Sequence, residues 1–195
     1  MLDAWVHGWA ISRNTTEPVR VRSGYRVDVG LPGHRVRYVL PAYDAELVDG
    51  LGRPETWLKI RGEVALDARW QVWPPEYLMT TELRAAPVTV AASYELKHAL
   101  RGRIVEATVT AADGSVAARG KAALTGEAAV FDQIETDPQH RRRGLGRTVM
   151  GALSSAAQYA GATTGVLVAT EDGRALYTAL GWMLDSPMTA AVSRG

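Results

Sequence analysis

Asp137-Pro138-Gln139-His140-Arg141-Arg142-Arg143-Gly144-Leu145-Gly146-Arg147 is the stretch whose surroundings decide how this chain folds. Before it runs Ala128–Thr136, apolar and β-biased, introduced by Thr125-Gly126 and ended by Asp137-Pro138. After it, Leu145, Val149, Ala152, Leu153, Ala156 and Ala160 recur at three and four residues up to Gly161, the pattern of an amphipathic helix with a glycine stop. A loop that enters a helix from a strand is well placed to hold an anion. The first backbone N–H groups of a helix have no partner within it and the macrodipole is positive there, so a phosphate meets donors already aimed at it. Gly144 and Gly146 let a ligand approach the backbone, while Arg141, Arg142, Arg143 and Arg147 add charge suited to several phosphate oxygens. The loop reads as a pyrophosphate cradle, with a solvated basic turn as the alternative for the same residues. It lacks the Gly-Lys-Ser/Thr ending of a P-loop and the third glycine of a dinucleotide fingerprint.

Beyond the helix, Thr164–Thr170 is a compact β run that the helix length allows to lie parallel to Ala128–Thr136, giving a β-loop-α-β unit. A short helix over about 173–180, stopped by Gly181, and a strand over about 188–192 follow. On the other side, 103–111 and 116–123 flank Asp113-Gly114, a strong hairpin signal. The first half has a different texture, for it holds Trp5, Trp9, Trp57, Trp70 and Trp73, leaving only Trp182 in the second. There 25–29 and 35–40 read as a hairpin, 42–51 as a short helix, and 70–81, with Pro74-Pro75 inside it, as irregular connection. The expected architecture is an α/β fold with a mixed sheet, divided softly near Glu82 into an N-terminal α/β extension over 1–85 and a second domain over 86–195.

The 195 residues carry 22 Lys plus Arg against 21 Asp plus Glu, so no global field steers the chain onto nucleic acid or an acidic membrane, and neither is expected as a partner. Zero cysteines remove disulfides, thiolate nucleophiles, acyl-cysteine intermediates and sulfur-ligated zinc, and no metal is expected. The N-terminus lacks the basic start and apolar core of a secretory signal, so the expected location is cytoplasmic.

Arg141-Arg142-Arg143-Gly144-Leu145-Gly146 matches every fixed position of the Arg/Gln-x-x-Gly-x-Gly/Ala acetyl-CoA loop, and Leu176-Tyr177-Thr178-Ala179-Leu180-Gly181-Trp182 matches Leu-Tyr-x-x-Leu-Gly-Phe save for its last residue. With these two motifs at their separation, the sequence resembles the GNAT superfamily of N-acetyltransferases over about 103–192. Residues 1–85 match no motif, and stand either as a GNAT-like half or as a substrate-side extension. The resemblance implies a cofactor arm lying against Ile134, Glu135 and Thr136, with the Ile134 N–H donating to the thioester carbonyl and stabilising the developing oxyanion. It implies a pyrophosphate on the loop from Arg141 and Arg142 through Arg143, Gly144, Leu145, Gly146 and Arg147 to Thr148. Asp172 stands where many members carry a cofactor-binding asparagine.

Tyr177 matches the tyrosine that protonates the departing thiolate, the alternative for it being a core aromatic. Val130 falls where the histone-acetylating branch carries its glutamate, so the base is sought among Glu127, Asp132 and Glu135, each also readable as a surface strand residue. Glu135 is taken with Tyr177 as catalytic. His140 borders the loop. The implied activity is acetyl transfer from acetyl-CoA to the primary amine of a small molecule by direct attack in a ternary complex; the alternative is a non-catalytic acyl-CoA-binding sensor or scaffold. A homodimer is compatible with the sequence.

Overall fold

Asp113-Gly114 closes the hairpin between strands β8 (Ile104–Ala111) and β9 (Val116–Thr125), with Gly114 at φ 86°. The computed structural model, which describes residues 1–85 and 87–195, builds the rest of a twelve-stranded sheet around such local units. In chain order the other elements are helix α1 (Leu2–Arg13), β1 (Val19–Val21), β2 (Gly24–Leu31), β3 (His34–Leu40), α2 (Ala45–Asp49), β4 (Thr56–Arg61), β5 (Trp70–Val72), β6 (Glu76–Glu82) and β7 (Tyr94–Arg101). After β9 come β10 (Ala128–Thr136), a 3-10 turn (Pro138–His140), α3 (Leu145–Tyr159), β11 (Thr164–Thr170), α4 (Glu171–Ala179) and β12 (Met183–Ser193).

The strands run in the order β1-β2-β3-β4-β12-β6-β11-β10-β9-β8-β7, with β5 attached to β12. Among the described residues the parallel strand pairs are β3 with β4 and β10 with β11. The stretch expected as irregular connection is corrected: it holds β5 and the central strand β6, which pairs antiparallel with both β11 and β12. Pro74 and Pro75 lie just outside β6, where their missing N–H groups interrupt no ladder. The last strand is also longer than expected, spanning Met183–Ser193. Ala86, where the expected second domain begins, lies outside the described residues, and strands from either side of it interleave in one sheet.

Successive strand residues point to opposite faces, which sorts the core. Val130, Val166 and Leu78 join Leu2, Trp5, Val6 and Trp9 of α1, with Val27, Val39 and Met188. Their neighbours Phe131, Leu167 and Met79 join Leu145, Val149 and Leu153 of α3, with Tyr177 and Trp182. Thus α1 covers one face and α3 with α4 the other. A Cβ on Gly8 would stand 2.3 Å from Val130 Cγ2, so glycine is what allows α1 to seat against β10. Among the described residues no helix is long and apolar enough to cross a membrane.

Candidate active site

The parallel strands β10 and β11 share three residue pairs, from Ala128↔Thr164 to Val130↔Val166. Beyond them β10 stays with β9 and β11 stays with β6, so the two strands part. In the same region the β9 register breaks between Asp132 and Glu135: Gln133 and Ile134 together face Gly120, and Gln133 takes φ 55°. This is a bulge, one extra residue that bends its strand and turns side chains to new directions. The Ile134 side chain occupies the space over Gly120, where an added Cβ would meet Ile134 Cδ1 at 2.5 Å.

A cleft of about 1500 Å³ opens at this divergence. It brings together Ile134, Glu135 and Thr136 of β10, Arg141, Arg142, Gly144, Leu145, Gly146 and Arg147 of the loop and α3, and Asp172 and Tyr177 of α4. The loop is shaped by left-handed residues, Arg142 at φ 61° and Gly144 at φ 78°. An added Cβ at Gly144 meets nothing within 4 Å, so the side missing there is open space. Gly146 has a different reason: its Cβ would come within 3.1 Å of Leu176 Cδ2, so it lets α3 approach α4. Leu145, Gly146 and Arg147 begin α3, where helix N–H groups have no intrahelical acceptor.

Two of the expected loop residues point elsewhere. The Thr148 N–H donates to the Gly144 carbonyl and its hydroxyl to the Thr89 carbonyl, at 3.1 Å each. Arg143 donates to the Tyr94 hydroxyl at 2.8 Å, and that hydroxyl lies 3.1 Å from His140 Nδ1. Both residues line a second, smaller cleft of about 860 Å³ beside α3. Tyr94 therefore ties the loop to β7.

The acid–base candidates separate by environment. Tyr177 is buried against Trp182, with ring centroids 6.1 Å apart, and still reaches the cleft. Burial, with the charge of Asp132 added, pushes its phenol up to about 12, so the hydroxyl keeps its proton across the neutral range. Glu135 lies at the exposed rim, its Oε2 held by Arg119 Nη2 at 2.8 Å and Nε at 3.0 Å. Asp132 is 14% exposed and takes a bidentate ion pair from Arg13 at 2.6 and 2.9 Å, with the Ser12 hydroxyl at 2.5 Å. Burial would raise its pKa, but the bonds from Arg13 and Ser12 outweigh this and hold it below the ordinary carboxylate value. Glu127 is exposed at the far end of β10, outside the cleft, where its carbonyl accepts from Thr163 and Thr164.

Sequence reasoning missed Ser12, Arg13, Tyr94 and Arg119. Arg13 and Asp132 are 119 positions apart, and no local pattern announces such a pair.

The family model described as FR47-like protein matches residues 115–189. Among curated proteins none matches in sequence. Among solved structures, a GCN5-related N-acetyltransferase from Kribbella flavida is 15% identical, with a TM-score of 0.67 over 100% of this chain and 94% of its own. A protein from the GNAT family of Novosphingobium aromaticivorans is 17% identical, TM-score 0.65, over 96% and 94%. A functionally unknown conserved protein from Staphylococcus epidermidis is 10% identical, TM-score 0.63, over 99% and 96%. The chain therefore has the fold of the GCN5-related N-acetyltransferases, with an FR47-like segment in its C-terminal half.

Proposed function

We propose that this protein, which has the GCN5-related N-acetyltransferase fold, transfers an acetyl group from acetyl-CoA to a primary amine of a small molecule, by direct attack with both substrates bound. One observation carries the reading: a pair of parallel strands that part after three residue pairs, opening onto a helix N-terminus flanked by Arg141, Arg142 and Arg147. The gap suits an extended arm bearing amides, which can bond to strand edges as an added strand does. The N–H groups of Leu145, Gly146 and Arg147, and the open side of Gly144, suit a pyrophosphate. Acetyl-CoA supplies the acetyl group as a thioester. Ile134 lies in the break of the β9 ladder, and its N–H is the donor we assign to the thioester carbonyl. Tyr177 holds its proton for the departing thiolate. Glu135 stands at the rim, where a water between it and the amine relays a proton. With no cysteine in the chain, no acyl-cysteine intermediate forms.

One observation favours the second reading, a non-catalytic acyl-CoA-binding sensor or scaffold: both β10 carboxylates that line the cleft, Asp132 and Glu135, are ion-paired. Release of free CoA thiol from acetyl-CoA across a panel of amines separates the two. An amine-dependent rate supports transfer; tight acetyl-CoA binding with a rate no amine changes supports the sensor.

A further inference from the structure

We infer that the acceptor amine also carries a carboxylate, and that Arg37 binds it near the C-terminal end of α1; the inference builds on the acetyl-transfer reading above. Arg37 lies on β3 and is 8% exposed. Its guanidinium carbon stands 4.1 Å from the ring centroid of Trp9 on α1 and 6.0 Å from that of Trp57 on β4. Among the described residues its side chain makes no hydrogen bond or ion pair, and its Nε is buried without a partner. The two carboxylates of this region are both engaged, Asp132 by Arg13 and Ser12, and Glu76 by the buried Lys59. Three cations, Arg13, Arg37 and Lys59, thus face two carboxylates. A buried cation without a counter-charge is costly, and an anion that enters relieves it. The flat guanidinium fork fits a carboxylate with two parallel bonds.

Arg37 lies on a face of the sheet that reaches the cofactor cleft. Arg37 pairs with Val27, Lys59 with Val39 and Glu76 with Met188, while Asp132 lies two residues beyond Val130. Val27, Val39, Met188 and Val130 all belong to the α1 cluster, so the four charged residues share that face of the sheet. Asp132 belongs at once to this face and to the cofactor cleft. Tyr177 packs in the opposite cluster. An amine held by its carboxylate on the α1 face would attack from one side of the sheet, while Tyr177 keeps its proton on the other.

The test uses pairs of amines that differ only by the carboxylate: phenylalanine and phenethylamine, tryptophan and tryptamine, lysine and cadaverine, 4-aminobutyrate and propylamine. Binding is read by calorimetry and transfer by thiol release. In at least one pair the carboxylate form should be favoured about 100-fold, and Arg37→Gln should shrink that preference to about 3-fold, mostly through KM, with Arg37→Lys between. Acetyl-CoA titration of each variant reports whether the fold stands. No carboxylate preference in the parent protein overturns the inference, as does a preference that survives in folded Arg37→Gln, since Arg37 is then a structural cation stacked on Trp9. If the parent binds acetyl-CoA but acetylates nothing, the transfer reading fails alone. Calorimetry of the amine pairs still decides the carboxylate site: Arg37-dependent binding supports it and its absence overturns it.

Discussion

The guanidinium groups of Arg141, Arg142 and Arg147 stand around an open cleft beside helix amides, whereas those of Arg13 and Arg37 sit among tryptophan rings and a carboxylate at the end of α1. In the first region the backbone carries the geometry and the charges are solvated, so each arginine adds little alone and the set adds a field. In the second, Arg37 and Asp132 have lost most of their water, so each depends on a specific partner, and one without a partner becomes informative. The backbone-built region suits a ligand common to many enzymes. The side-chain-built region suits a ligand peculiar to one.

The sharpest test of the backbone-built region lies at its inner end. Tyr177→Phe deletes one hydroxyl and keeps the ring against Trp182; turnover should fall about 10²- to 10⁴-fold with the acetyl-CoA dissociation constant little changed. Steady-state kinetics beside calorimetry checks this, and an unchanged rate would make Tyr177 a packing residue only. Gly144→Glu should weaken acetyl-CoA by about 100-fold, since it sets a carboxylate in the cradle against the field that favours anions. It also costs about 1 kcal/mol of stability, because residue 144 takes φ 78°. Calorimetry on the folded variant that gave the parent affinity would remove the loop from the site.

How much of this was legible follows the range of the contacts. β8, β9, β10, α3 and β11 succeed one another along the chain and pack on their neighbours, so Asp113-Gly114, the glycine stop at Gly161 and the helical spacing from Leu145 were enough. The loop was legible for the same reason, because a helix N-terminus is a local object. β6 was not, because its partners begin at Thr164 and Met183, and nothing beside Pro74-Pro75 signals a strand buried between them. β7 was missed because it lies at the sheet edge, paired to β8 alone, with Glu95, Lys97 and Arg101 exposed along it. The helix α1 carries Gly8, Val6 and Ile11, poor helix formers; Gly8 is required by Val130, which lies 122 positions on. Arg37 sits in an alternating strand pattern that reads as half-solvated, and only the tertiary fold brings Trp9 over it.

The side-chain-built region has its own signature in pH. His34 lies between Trp9 and Trp57, with centroids 6.0 and 5.1 Å away. Burial, then the charges of Arg37, Lys59 and Arg13, lower its pKa from 6.5 to about 4. The folded form therefore binds fewer protons than the unfolded one in that window. Stability should be fully present above pH 6.5 and lost as pH falls toward 4. Chemical denaturation at stepped pH should show that loss, and His34→Gln should flatten it; an equal slope in both proteins would place the acid sensitivity elsewhere. The smallest effect is expected from Tyr94→Phe, which removes the hydroxyl shared by Arg143 and His140 and should weaken acetyl-CoA by about 5-fold, the worth of one ordinary hydrogen bond. Calorimetry showing no change would mean that the loop keeps its shape without β7.

Because β10 and β11 part after three pairs, the sheet has an open seam at its middle instead of at its border. A bare strand edge invites pairing with another polypeptide, and proteins usually guard such edges against aggregation. Here the guards are the helices. An intruding peptide would bring side chains alternately above and below the sheet, where α1 already stands on one face and α3 on the other. A slender chain with amides but few branches meets neither obstacle. The seam thus filters its visitors by thickness, and the packing that excludes a foreign strand is the same packing that leaves room for a thread.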